Sequence, residues 1–258
     1  MLTRRYIRID IIASRRMIVA FTFVGDLCTE LAQAMMGSVR RSIPGAYCVQ
    51  LTDHETPLVE GADGAIRLDH NPDLIEFRCR QLRELTGEVI YLDYDCIVQK
   101  DISSVFEQPF DIALTRRPAD DKTASPPVRD IIPYNFGVSF QRNGKFWSLL
   151  SEEYAALVNK DGWMMGQYAG GLCVAKSRGT INVLDLPGEY YNYTPTRKDE
   201  DVTGRAVVHY KGKRKHWMLR GASPEIIERA MGDERRVAKM TQNILSMLGA
   251  EGRAFHNK

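Results

Sequence analysis

Two carboxylates stand one residue apart inside an apolar stretch that reads GEVIYLDYDCIV. Asp93 and Asp95 interrupt two runs of β-forming residues, and Asp is among the residues that strands avoid most. Carboxylate oxygens are the ligands that Mg²⁺ and Mn²⁺ prefer, usually one or two of them together with substrate phosphates. The pair therefore predicts either a metal site at the end of a buried strand or an ordinary turn that closes it.

A second group of residues that could do chemistry lies much later in the chain, in a segment that reads VVHYKGKRKHW. A short apolar strand leads to His209, and Gly212 opens a dense cationic run that includes Lys215. A neutral imidazole can complete a metal site, and a lysine offers a point charge to a phosphate. The alternatives are a solvated basic loop beside a core histidine, and a surface that binds nucleic acid.

Together the two groups contain what the binding of a metal diphosphate requires. Carboxylates and an imidazole hold the cation, the cation neutralises the diphosphate, and the lysine takes the remaining negative charge. The sequence has neither the G-x-x-x-x-G-K-[ST] loop nor the G-x-G-x-x-G fingerprint, which disfavours P-loop NTPases and dinucleotide-dependent dehydrogenases. It also lacks the G-x-S-x-G and H-E-x-x-H motifs of two hydrolase classes.

The elements that must position these groups predict an α/β domain with a mostly parallel sheet. The patterns are strand-like at 17–24, 45–51, 88–92, 111–115, 135–140, 181–184 and 206–210, helical at 27–39, 72–85 and 144–158, and loop-like at 53–71 and 118–133. We expect helix caps at Asp26 and Asn71, with Pro72 in the first turn of the second helix. Ligands bind beyond the carboxyl ends of such strands, where Asp93 and Asp95 lie.

The chain predicts one main domain at 17–220, with a leader or edge element at 1–16 and a helical tail at 221–258. An apolar seam on the tail is expected to pack on the core; the alternatives are a partner copy in a homo-oligomer and a membrane surface. The five cysteines form no C-x-x-C pair, which favours free thiols in the cytoplasm over a disulfide framework. A formal net charge of +2 argues against a general polyanion binder.

Five segments, in order along the chain, resemble glycosyltransferase family 8, the glycogenin and bacterial lipopolysaccharide galactosyltransferase type. They read IVAFTFVGDLCTELAQAMMGSV, FRCRQLRELTGEVIYLDYDCIV, NFGVSF, LPGEYYNY and HYKGKRKHW. These are similar to the family's nucleotide-binding first strand and helix, its D-x-D region, its N-S-G-V segment, its Leu-Pro…Tyr-Asn stretch and its H-x-x-G-x-x-K-P-W motif. The resemblance covers most of the chain, from Met17 to Trp217, and implies a GT-A fold.

The resemblance implies a retaining transferase of the hexosyltransferase type, which takes its sugar from a nucleotide-diphosphate sugar with Mn²⁺ or Mg²⁺. It implies Asp93, Asp95 and His209 as metal ligands, with the two aspartates in the catalytic site, and Gly212 and Lys215 on the diphosphate. The other residues implied around the donor are Phe21 and Thr22 beside the base, Arg78 as a basic residue that contacts the donor, Tyr94 as a further donor-binding residue, and Asn135 and Gly137 at the sugar end. The acceptor stays open among a glycan, a lipid-linked glycan, a protein and a nucleic acid.

This sequence departs from the family pattern at several positions. The family usually has an aspartate before a late glutamine of the site, whereas here Gly166 precedes Gln167. Gln167 is then the residue expected beside the donor sugar during front-face attack. His216 replaces the proline of the last motif. Apolar residues at 23–25 replace the polar residues that recognise the nucleotide base in the family, so the sequence does not specify which base the donor carries.

Two other functions are compatible with the sequence. A nucleotidyltransferase of related fold ranks second, because the segment FTFVGDLCTEL lacks the glycine-rich basic loop usual after the first strand of that class. A non-enzymatic protein that binds nucleic acid through the basic 205–220 segment would show salt-sensitive binding that is indifferent to metal.

Overall fold

A seven-stranded sheet forms the centre of the protein. We describe it from a computed structural model that covers residues 16–25, 28–69, 71, 73–118, 132–157, 163–177, 179–219 and 221–231. The strands of the sheet are β1 (Ile18–Thr22), β2 (Tyr47–Thr52), β3 (Gly64–Arg67), β4 (Val89–Leu92), β6 (Ile112–Arg116), β7 (Tyr134–Gln141) and β8 (Val183–Pro187). A separate two-stranded ribbon pairs β5 (Cys96–Val98) with β9 (Val207–His209).

The strands follow the order β3-β2-β1-β4-β7-β6-β8. Pairing is parallel from β3 through β4 and between β6 and β8, whereas β7 is antiparallel to both of its neighbours. Because β7 runs the other way, its first residues lie at the edge where β1, β4, β6 and β8 end. This edge therefore collects side chains from five strands of the sheet.

Helices pack on both faces of the sheet. They are α1 (Thr29–Ser42), α2 (Leu74–Leu82), α3 (Lys145–Ala155), α4 (Trp163–Lys176), α5 (Gly188–Tyr191), α6 (Lys215–Met218) and α7 at 224–231. Successive side chains of a strand point to opposite faces. Val89 and Tyr91 accordingly join the apolar layer under α2, α3 and α4, while Ile90 and Leu92 join the layer under α1. All four are almost completely buried, so β4 is a central strand held from both sides.

The cap of α2 differs from the expectation. Asp73, and not Asn71, caps the helix, because Asp73 Oδ1 accepts hydrogen bonds from the backbone N–H groups of Ile75 and Glu76 at 3.1 and 3.2 Å. Asn71 Oδ1 accepts from the backbone N–H of Asp73 at 2.9 Å and so belongs to the preceding turn.

Several expectations fall outside the described residues. They are the leader at 1–15, the cap at Asp26, the position of Pro72, the 119–131 part of the predicted loop, and the tail beyond 231.

The differences from the sequence-based prediction that bear most on the fold concern three elements. The predicted loop at 53–71 contains β3, a half-buried strand parallel to β2. The strand expected at 206–210 is β9, which lies in the ribbon and not in the main sheet. Helix α4 was not predicted, because a helix that is apolar on nearly all sides lacks the periodic polar face by which helices are recognised.

The described part of the tail, at 221–231, packs on the core, whereas the apolar seam of the sequence analysis lies beyond residue 231 and outside the described residues. Ala230 in α7 is fully buried, and Ile226 and Ile227 pack in the same apolar cluster as Cys28 and Leu31 at the start of α1. Within the described residues, no helix is both long enough and apolar enough to cross a membrane.

Candidate functional site

The ribbon explains how residues distant in sequence meet. Strand β5 directly follows the two aspartates and pairs with β9, so that Cys96 lies opposite His209. The backbone N–H of Tyr210 donates to the carbonyl of Asp95 at 2.9 Å, and that of Asp93 donates to the carbonyl of Gly137 in β7 at 2.8 Å. Backbone pairing alone therefore places the histidine and both carboxylates at one edge of the sheet.

The imidazole of His209 lies between the two carboxylates, and a hydrogen bond to its other ring nitrogen orients it. Its Nε2 is 3.0 Å from Asp95 Oδ1 and 3.7 Å from Asp93 Oδ2, and its Nδ1 is 2.8 Å from Asn192 Oδ1. Asn192 Nδ2 donates to Thr115 Oγ1 at 2.7 Å, which leaves Asn192 Oδ1 as the acceptor facing the ring. Nδ1 therefore carries a proton, and Nε2 points at the carboxylates.

This arrangement fits a divalent cation. Two carboxylates that converge on a ring nitrogen repel one another unless a positive charge lies among them. A histidine that donates its second N–H to an outer amide is also the usual orientation of a metal ligand. The oxygen and nitrogen donors of Asp93, Asp95 and His209 are of the kind that Mg²⁺ and Mn²⁺ accept.

Cys96 also lies at this cluster. Among the described residues, one ligand atom each from Asp95, Cys96 and His209 lie within 4.8 Å of one another, and Asp93 is not part of this compact group. Burial raises the pKa of the Cys96 thiol well above its ordinary value, and the nearby carboxylates add to the rise. A protonated thiol is a poor ligand for a hard cation, so the carboxylates and the imidazole remain the better donor set.

Lys215 is already paired in this structure. Its Nζ lies 2.9 Å from Asp95 Oδ2 and donates to the Tyr94 hydroxyl at 2.7 Å. Burial alone would raise the pKa of Asp95, but the charges of Lys215 and His209 outweigh it and hold that pKa well below the ordinary value. Asp95 thus presents Oδ1 to His209 and Oδ2 to Lys215, and contact of the ammonium with a diphosphate stays a prediction.

Arg78 and a buried tyrosine support the other carboxylate. Arg78 Nη1 lies 3.6 Å from Asp93 Oδ1, and its guanidinium stacks 5.2 Å from the centre of the Tyr91 ring. The Tyr91 hydroxyl is 3.0 Å from Asp93 Oδ1 and 3.3 Å from Thr22 Oγ1. Arg78 Nε is buried and has no hydrogen-bond partner within the described structure. The guanidinium therefore has donor capacity left for an anion.

Two positions of the predicted site are glycine for different structural reasons. A Cβ atom at Gly137 would lie within 2.7 Å of both Asp93 Oδ2 and His209 Nδ1, so only glycine lets β7 pass this close to the cluster. Gly212 has open space around it but a φ of 61°, a left-handed conformation that favours glycine.

The remaining predicted residues lie at different depths. Phe21 is fully buried under α1 because the alternation of β1 turns its side chain into that face, and its contact with the base stays a prediction. Thr22, the next residue, is half-buried at the edge. Gln167 in α4 is buried and accepts a hydrogen bond from Arg117 Nη2 at 2.7 Å. Asn135 reaches the cluster through Asn192, at 3.1 Å between Oδ1 and Nδ2.

Sequence reasoning missed the residues that orient the cluster. Asn192 belongs to the LPGEYYNY segment and Tyr91 to the strand before the aspartates, but neither had an assigned role. An asparagine and a tyrosine have many uses in a fold, and only the pairing of β9 with β5 shows that Asn192 lies behind His209.

Comparison of the sequence finds no matching family model and no matching curated protein. Several solved structures match in three dimensions. The galactosyltransferase LgtC, in complex with donor and acceptor sugar analogs, shares 16% identity over 83% of this chain and 95% of its own, with a TM-score of 0.55. GlyE of Streptococcus pneumoniae TIGR4 shares 15% over 90% of this chain and 64% of its own, with a TM-score of 0.57.

A third similar structure is a glycosyltransferase involved in glycosylation of the major capsid of PBCV-1, with 14% identity over 79% of this chain and 98% of its own, and a TM-score of 0.54. At these identities the likeness establishes the fold, and assignment to family 8 stays a prediction from the motifs. The expected fold class is confirmed. The chain therefore has the GT-A-like α/β fold of these glycosyltransferases.

Proposed function

We propose that the protein is a metal-dependent glycosyltransferase that moves a sugar from a nucleotide-diphosphate sugar to an acceptor with retention of configuration. The observation that carries this proposal is the convergence of Asp93, Asp95 and His209, with the imidazole oriented by Asn192. The likeness in fold to glycosyltransferases supports the same class of reaction.

Asp93, Asp95 and His209 would hold the cation, and Mn²⁺ or Mg²⁺ bound there supplies positive charge against the departing diphosphate. The side chain of Asp93 is 31% exposed, whereas that of Asp95 is 6% exposed. Asp93 therefore lies on the accessible side of the cluster, and Asp95 lies on its buried side. Lys215 keeps Asp95 ionised, and Arg78 adds a buried positive charge beside Asp93.

At the sugar end, this proposal assigns a positioning task to Gln167. Its amide oxygen is held by Arg117, so its amide N–H groups are the donors left for a ligand. A neutral amide cannot serve as a strong nucleophile, which favours front-face attack by the acceptor over a covalent intermediate on this residue. We propose that Asn135 and Gly137 line the sugar end of the donor, beside the metal cluster that each of them adjoins.

The proposal is tested by incubating the protein with a panel of nucleotide sugars and Mn²⁺ and measuring release of the nucleotide. We expect release with at least one donor, and its loss on chelation of the metal or in Asp93→Asn. Asp69→Asn is the matched control, because the Asp69 side chain is 99% exposed. Melting temperatures of both variants show that the fold persists.

Two outcomes would contradict the proposal. One is the absence of hydrolysis and transfer with every donor, and the other is activity that Asp93→Asn leaves unchanged. Formation of pyrophosphate from a nucleoside triphosphate and a sugar phosphate would identify a nucleotidyltransferase instead.

A further inference from the structure

A cavity of about 320 Å³ adjoins the metal cluster without including its carboxylates. It lies at the same edge of the sheet, among the ends of β6, β7 and β8 and the start of α5. Asn192 lines this cavity and also contacts His209 Nδ1 at 2.8 Å. Asn192 therefore lies between the cavity and the metal cluster, and Asn135, which we propose at the sugar end of the donor, lines the cavity as well. The cavity thus begins where the donor sugar is expected to end, and this is where an acceptor must bind.

The floor of the cavity carries buried polar atoms that lack partners. Within the described structure, Asn135 Nδ2 and Thr194 Oγ1 have no hydrogen-bond partner, although the two residues are only 4% and 8% exposed. Leaving such groups unpaired costs free energy, so they are rare unless water or a ligand satisfies them. An amide N–H and a hydroxyl can both donate to an oxygen, so the floor is suited to an oxygen-rich ligand.

The walls of the cavity are cationic. Arg117, Arg205 and Lys211 line it, and Arg116 lies at its rim, paired with Asp185 at 2.9 Å. The Arg205 guanidinium stacks 4.3 Å from the centre of the Tyr193 ring, and its Nη1 donates to the carbonyl of Glu189, so its position is fixed. Among the described residues that line the cavity, Glu189 is the one carboxylate, and its side chain belongs to an exposed residue.

We propose that this cavity binds a negatively charged group of the acceptor, so that the acceptor is a glycan bearing a carboxylate or a phosphate. The inference rests on the proposed glycosyltransferase function. Guanidinium and ammonium groups form their strongest hydrogen bonds with carboxylate and phosphate oxygens, and the two unpartnered donors complete that set. The diphosphate of the donor is served by the metal cluster on the other side of Asn192, which leaves this second positive region for the acceptor.

The first experiment measures binding without donor or metal. Glucuronic acid, glucose 6-phosphate and glucose are titrated calorimetrically at low salt into the intact protein and into Arg205→Gln and Lys211→Gln. We expect both anions to bind about tenfold more tightly than glucose, and each substitution to weaken anion binding by about tenfold. Lys213→Gln is the matched control, because Lys213 is exposed on the same loop and does not line the cavity.

Three results would each overturn the proposal. They are equal affinity for glucose and the anions, no anion binding at millimolar concentration, and a loss of anion affinity in Lys213→Gln equal to that in the two variants. Because this titration needs no nucleotide sugar, its failure is distinct from failure to release nucleotide.

A second experiment compares glycoside acceptors that carry a carboxylate, a phosphate or neither. Preference for the carboxylate or the phosphate tells the two sources apart and supports the proposal. If Arg205→Gln and Lys211→Gln lose transferase activity only with donors whose sugar is charged, the cavity binds the donor sugar and not the acceptor. That result would contradict the proposal.

Discussion

Replacing Gly137 by alanine tests whether close packing of β7 orders the metal cluster. The added Cβ would lie 2.7 Å from Asp93 Oδ2 and 2.7 Å from His209 Nδ1, below the 3.0 Å that real Cβ contacts respect. Strand β7 pairs with β4 on one side and β6 on the other, so its backbone has little freedom to move away. The ring and the carboxylate must separate instead.

The size of the effect follows from two estimates. Overpacking of a well-packed interior costs about 1–3 kcal/mol, so we expect Gly137→Ala to fold with reduced stability. Loss of orientation around a metal ligand usually lowers metal affinity by about 10- to 100-fold. We therefore expect Mn²⁺ affinity to fall by a factor in that range, and nucleotide release to fall with it.

The assay is calorimetric titration of Mn²⁺ into the wild type and Gly137→Ala, with urea unfolding of both to measure stability. Gly204→Ala is the control, because a Cβ at Gly204 meets no atom within 4 Å and its backbone conformation suits alanine. A folded Gly137→Ala protein with the Mn²⁺ affinity of the wild type would refute the inference that this glycine shapes the site.

Three further predictions concern stability and are checked by urea unfolding. Lys215→Met should cost about 3–5 kcal/mol, because it removes the cation paired with the buried Asp95; an unchanged midpoint would contradict this pairing. Asp73→Ala should cost about 1 kcal/mol through loss of the α2 cap, and a neutral result would reject the cap. Burial raises the pKa of Cys48 to about 11 and that of Cys79 to about 12, so the folded chain keeps protons that the unfolded chain loses above about pH 8.5. These two thiols alone should then make stability fall as the pH rises, by up to about 2.7 kcal/mol per unit near pH 10, and a flat profile from neutral to alkaline pH would contradict this.

The sheet was largely predictable because its strands are continuous apolar runs. Val89 to Leu92 read as a strand buried on both faces, and the structure buries all four residues. The same reasoning could not find β3, since the only apolar side chains of GAIR are Ala65 and Ile66 and the whole strand is half-buried. It also could not find α4, which lacks a polar stripe.

The two halves of the site were predictable, but the links between them were not. Residue types alone indicated that Asp93, Asp95 and His209 could share a cation. Their proximity depends on the antiparallel pairing of β5 with β9, and three-residue strands carry too little pattern to reveal their partner. The salt bridge of Lys215 with Asp95 is likewise a product of tertiary packing, since α6 carries that lysine into the buried interior.

The most direct test of the central claim is calorimetric binding of nucleoside diphosphates with and without Mn²⁺, on the wild type and on Asp93→Asn. If Asp93, Asp95 and His209 hold the cation that binds the diphosphate, one of the four common nucleoside diphosphates should bind the wild type at least about tenfold more tightly with Mn²⁺ than without it. Asp93→Asn should remove that gain. Equal affinity in the presence and absence of metal, or a metal-dependent gain that survives in Asp93→Asn, would contradict the account.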